Sequence, residues 1–111
     1  DHHCTVRLDD DDALCKNFVE MLNTKYSNYL NTDLISFPNG IKFNFENNQI
    51  KLGDKMRQKN IGLGFTGINC NVYGLGDHDM IHKKYDILYD DTPDVYLCCC
   101  NTKFCDSKRK L

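Results

Sequence analysis

Between residues 13 and 30 the apolar positions Leu14, Phe18, Leu22, Tyr26 and Tyr29/Leu30 return every three or four residues, which is one stripe of an α-helix. Cys15, Val19 and Met21 widen the stripe. The carboxylates Asp9 to Asp12 stand just ahead, where they face the positive end of the peptide dipoles and where Asp10, Asp11 or Asp12 is expected to cap free amides. Such a helix is about 27 Å long and needs a broad surface to lie on.

From Leu34 the period shortens to two. Residues 34–37 read as a strand, Pro38, Asn39 and Gly40 as a turn, and residues 41–45 as a second strand. That second strand has Ile41, Phe43 and Phe45 on one face and Lys42 and Asn44 on the other. A further turn at 46–49 leads into Ile50, Lys51 and Leu52. Residues 53–60 (GDKMRQKN) read as a solvated loop. The five glycines between Gly62 and Gly76 predict a bulged strand with Cys70 near its middle. Residues 85–89 and 95–98 then flank Asp90, Asp91, Thr92, Pro93 and Asp94, the pattern of another hairpin. The expected fold is α+β: an N-terminal amphipathic helix packed on an antiparallel β-meander and stapled by disulfides. It forms a single domain over residues 1–111, with 1–9 as a flexible arm.

Seven cysteines in 111 residues change the picture most (Cys4, Cys15, Cys70, Cys98, Cys99, Cys100 and Cys105). That density is far above cytosolic usage and points to an oxidising compartment, hence a secreted or cell-surface ectodomain. The formal net charge of −2 with mixed signs lacks the basic footprint of a nucleic-acid binder. No apolar run is long enough to span a bilayer, so a membrane enters only through an anchor removed from the chain. The start at Asp1 reads as a mature or cut form. No Asn-x-Ser/Thr triplet is present to support secretion by glycosylation.

In a strand over 95–100, Cys98 and Cys100 point to one face and Cys99 to the other, so adjacent cysteines pair elsewhere. Cys100 and Cys105 enclose four residues and are the most economical local pair, worth about 2 kcal/mol by loop entropy. A bridge from Cys70 to Cys98 or Cys99 is worth about 3.5 kcal/mol. The remaining member of the 98/99 pair reaches back to Cys4 or Cys15. Seven is odd, so one thiol stays free, pairs outside the chain, or links a disulfide dimer.

The string from Tyr96 to Asp106, YLCCCNTKFCD, resembles the terminal knuckle of three-finger ectodomains, including type II bone morphogenetic protein receptors and the nematode ectodomain modules that share it. The resemblance covers about eleven residues. It implies a small ring closed by Cys100 and Cys105, with Cys98 and Cys99 as the long-range staples.

Other motifs are weaker. Asp1, His2, His3 and Cys4 spell the palmitoyltransferase signature without its zinc loop or membrane helices. Cys100 with Cys105, and His78 with His82, have zinc-like spacing. The glycine-rich stretch lacks the lysine of a phosphate loop, and Cys15 follows four carboxylates that oppose a reactive thiolate. The sequence therefore predicts a non-enzymatic, receptor- or ligand-like module that binds another extracellular protein, without a cofactor. Its expected contacts are the tips at Pro38, Asn39 and Gly40 and at Asp90, Asp91 and Pro93, with the loop at 53–60. The alternatives are a cystatin-like protease inhibitor and a zinc-stabilised intracellular interaction domain.

Overall fold

The computed structural model describes residues 4–9, 12–26, 32–68, 70–74 and 81–100. Among them the elements are β1 (Cys4–Val6), β2 (Ala13–Leu14), α1 (Phe18–Tyr26), β3 (Leu34–Ser36), β4 (Asn39–Glu46), β5 (Gln49–Arg57), β6 (Thr66–Ile68), β7 (Ile87–Tyr89) and β8 (Tyr96–Cys99). Two short 3-10 turns, Val72–Gly74 and Ile81–Lys83, lie between β6 and β7. The strands build two mixed sheets, ordered β1-β6-β3-β7 and β2-β8-β4-β5.

Only Phe37 and Pro38 separate β3 from β4, yet the two strands belong to different sheets. β7 and β8 likewise belong to different sheets. β3 pairs in parallel with β7, and β4 in parallel with β8, so two segments of chain turn the same corner side by side. Backbone hydrogen bonds continue across that corner, from Asp90 N to Ser36 O at 2.9 Å and from Val95 N to Asn39 O at 3.1 Å. Pro38 suits the break because it has no N–H to withhold from a ladder. Its carbonyl accepts from the Tyr96 hydroxyl at 2.9 Å and from Gln58 N at 3.0 Å. Gly40 leaves room for the Tyr96 ring, which occupies the space a Cβ there would need.

The main core draws on both sheets and on α1. It gathers Phe18, Leu22, Ile35, Phe37, Ile61, Leu63, Val95, Tyr96, Cys98 and Cys100. A second cluster of Leu34, Phe65, Val72 and Ile81 is packed by Cys70, Tyr85 and Ile87. Leu34 and Ile35 are neighbours on β3 and enter different clusters, so the β3 sheet is covered on both faces.

These findings overturn the expected helix on an antiparallel meander. Among the described residues, strand dominates, with one short helix and two mixed sheets. Of the residues expected to be helical, Ala13 and Leu14 instead form β2, paired with Leu97 and Tyr96. Helix α1 is described over Phe18–Tyr26, and Tyr29 and Leu30 lie outside the described residues. It docks through two buried side chains, Phe18 and Leu22, with the Phe18 ring edge-on to Phe37 at 5.2 Å. Asp12 caps no helix, since its Oδ1 accepts the Cys99 N–H at 2.9 Å; Asp10 and Asp11 lie outside the described residues. The expected arm is in part a strand, because β1 pairs with β6. Neither Pro38 to Gly40 nor 90–94 is a hairpin tip. The expected loop at 53–60 is largely the second half of β5.

The expected staple is not found between described residues either. Cys4, Cys15, Cys70, Cys98 and Cys100 are free thiols. No disulfide joins described residues, and Cys105 lies outside them. A bridge from Cys70 to Cys98 is blocked by architecture. Cys70 packs on the second cluster and Cys98 in the main core, with the β3 sheet between them.

Candidate functional site

The residues expected to meet a partner do converge, but as a clamp within the fold. Pro38 and Gly40 are buried, Asn39 is half-buried, Asp90 is buried, and only Asp91 and Pro93 are exposed. Asn39 Nδ2 donates to Asp91 O at 2.9 Å. Arg57 Nη1 donates to Asn39 Oδ1 at 3.1 Å and to Asp91 Oδ1 at 2.7 Å. Here β4, β5 and the bend before β8 are tied together by polar side chains.

Asp90 is the centre of this clamp. Its Oδ1 accepts the Thr92 N–H at 2.9 Å, closing an Asx turn, and also the Thr92 hydroxyl. Its Oδ2 accepts from the Tyr26 hydroxyl and from Lys25 Nζ at 3.3 Å, and Lys25 also reaches Thr92 Oγ1 at 2.8 Å. Burial pushes the Asp90 carboxyl upward. The hydrogen bonds from Thr92, Tyr26 and Lys25 outweigh it and hold the group below its ordinary value. The last turn of α1 is thereby fastened to the bend at 90–92, a role suited to holding rather than to chemistry.

The apolar surface lies elsewhere, on a ribbon that sequence reasoning placed but did not single out. β4 and β5 form a hairpin around Asn47 and Asn48, whose positive φ values of 52° and 63° are those a two-residue turn with matching twist requires. Phe43 faces Leu52 and Phe45 faces Ile50, and residues two apart share a face, so all four side chains lie on one side. Phe43, at the root, is buried. Phe45, Ile50 and Leu52 are 42%, 57% and 59% exposed. The opposite side carries Asn44, Glu46, Gln49 and Lys51, with a Lys51 to Glu46 ion pair at 3.3 Å.

Among the described residues β8 pairs with β4 from Gly40 to Phe43, and beyond Phe43 β4 pairs with β5 alone. A register shift between Ile41 and Phe43 places Gly53 and Asp54 opposite Lys42, a bulge that bends and twists the projecting part. The sequence signal was available. Ile41, Phe43 and Phe45 on one side of a two-residue turn, and Ile50 and Leu52 on the other, load one face with more apolar residues than a ribbon end can bury.

The cysteines divide by face. Cys98 and Cys100 enter the main core, where the Cys100 thiol donates to Cys98 O at 3.2 Å. Cys99 turns to the other side, in register with Phe43 at the root of the ribbon. Cys70 has its thiol pushed up by burial and then by the nearby Asp33 carboxylate, which outweigh the Ile68 backbone hydrogen bond. Among the described residues no group of three or more His, Cys, Asp or Glu is placed to hold a metal ion. His78 lies outside the described residues, as does the side chain of His82. A cleft of about 100 Å³ opens between Arg7, Asp9, Asp12 and Cys98. It is small beside the roughly 300–1,000 Å³ of sites that enclose organic ligands. Among the described residues no helix is long and apolar enough to cross a membrane.

Comparison with known proteins finds no matching family model, no matching curated protein and no matching solved structure.

Proposed function

We propose that the protein is a secreted or cell-surface module that binds another extracellular protein without chemistry of its own, and that it does so through the apolar face of the β4–β5 ribbon. The observation that carries this reading is the trio Phe45, Ile50 and Leu52, side by side and exposed on a projecting hairpin. Together they offer roughly 300 Å² of apolar surface, on the scale of the largest patches of soluble monomers, which are often functional. The extracellular address is supported by the cysteine density of the sequence.

The test compares the wild-type protein with F45S/I50S/L52S, each immobilised and exposed to a panel of purified ectodomains and secreted proteins. The reading expects at least one partner retained by the wild type and lost from the triple variant, whose circular dichroism is unchanged. A panel with no binder, or binders retained equally by both, overturns it. Alkylation of the native protein tests the address. Seven labelled thiols would count against an oxidising compartment.

A further inference from the structure

The partner class can be narrowed by the edge of the ribbon as well as its face. Among the described strands β5 hydrogen-bonds with β4 alone, so the N–H and C=O groups along its other side face outward over nine residues. Gly53, Met56 and Gln58 are half-buried at most, and Gln49 to Leu52, Asp54, Lys55 and Arg57 are exposed. Within β5 stand three cationic residues, Lys51, Lys55 and Arg57, against the single anion Asp54.

That charge selects the occupant. Two copies of β5 laid edge to edge would set one cationic strand against another, and lysines on an edge act against such self-pairing. Face-to-face contact of two copies through Phe45, Ile50 and Leu52 would bury well under the ~1,200 Å² of a standard specific interface. The ion pairs that β5 makes with Glu46, Asp94 and Asp91 are solvent-exposed on both partners and therefore weak, so an incoming carboxylate can replace them. Strand addition overcomes the small area, because main-chain hydrogen bonds supply affinity while alternate side chains pack on the apolar face.

We infer that β5 receives an extended segment of the partner protein, added as a further strand, in which apolar residues alternate with aspartate or glutamate. The inference rests on the ribbon being the contact surface. The alternation follows from the ribbon: apolar side chains of the added strand continue the face of Ile50 and Leu52, and the acidic ones meet Lys51 on the other side.

The experiment uses the full chain and end-capped octapeptides followed by fluorescence anisotropy. One peptide alternates valine and glutamate, one alternates valine and lysine, and one is the valine–glutamate sequence with alternate amides N-methylated. The expected result is saturable binding of the first, at least tenfold weaker binding of the other two, and inversion of the charge preference in K51E. No binding of the first peptide, equal binding of its N-methylated form, or an unchanged preference in the charge-swapped variant overturns strand addition. If ectodomain capture still depends on Phe45, Ile50 and Leu52 while the peptide fails, the edge is excluded and the face remains the contact surface.

Discussion

The root and the tip of the β4–β5 ribbon are a few residues apart and have opposite chemistry. At the root, polar residues are tied into the fold: Asp90 is buried and gripped by Tyr26, Lys25 and Thr92, Arg57 spans Asn39 and Asp91 at the surface, and Gly40 lies under the Tyr96 ring. At the tip, apolar residues stand in water. Polar turn residues are usually what a protein displays and aromatic ones what it hides. Here the hydrogen-bonding groups hold a corner where two strands change sheets, and the hydrocarbon is what is presented.

The largest effect is expected at the root, from Gly40→Ala. The new methyl must displace the Tyr96 ring, whose hydroxyl is fixed on the Pro38 carbonyl, so overpacking should cost about 1–3 kcal/mol in denaturant unfolding. A midpoint equal to the wild type would show that the corner is not tightly packed.

Asp90→Ala should follow, at about 1–3 kcal/mol, because Tyr26 and Thr92 lose their acceptor. The same contact carries a pH signature. Because the folded pKa of Asp90 lies below the ordinary value of 3.8, its contribution is present above that value and is lost as pH falls through the folded pKa. Acid titration of the wild type should therefore show a loss of stability below about pH 4 that Asp90→Ala lacks. Parallel acid curves for the two proteins would remove Asp90 from the clamp.

At the tip the stability effect should be the smallest. F45S/I50S/L52S should change unfolding free energy by no more than about 0.5 kcal/mol per site, since exposed side chains give up little burial. A much larger loss would mean that the tip supports the fold instead of facing a partner.

What could be read from the chain follows from how local each feature is. The alternation of Ile41, Phe43 and Phe45 and the turn at 46–49 are local, and both are present in the structure. The phase of Phe18, Leu22 and Tyr26 likewise marks a helix, but Leu14 fell on the same stripe by coincidence and belongs to β2. Partner choice was not legible. A period of two says that β3 and β4 are strands, not that they pair in parallel with segments about fifty residues further on. Pro38, Asn39 and Gly40 have the composition of a hairpin turn, and a sheet-switching corner uses the same residues.

The second half of β5 reads as a loop because Met56, half-buried against the main core, is its one large apolar side chain, and a single residue makes no alternation. Of the residues expected to make contacts, Pro38, Gly40 and Asp90 are buried while Asp91 and Pro93 are exposed, and their spatial proximity was not legible in the sequence. Their hydrogen-bonding partners, Tyr26, Lys25 and Arg57, come from distant elements. The cysteine spacing could not show that the β3 sheet would stand between Cys70 and Cys98.

Hydroxyl-radical footprinting of the protein with and without an ectodomain captured by the wild type tests the contrast between root and tip most directly. The account predicts that Phe45, Ile50 and Leu52 become protected while Pro93, exposed beside the clamp, keeps its reactivity. Protection of Pro93 with Phe45, Ile50 and Leu52 unchanged would contradict it.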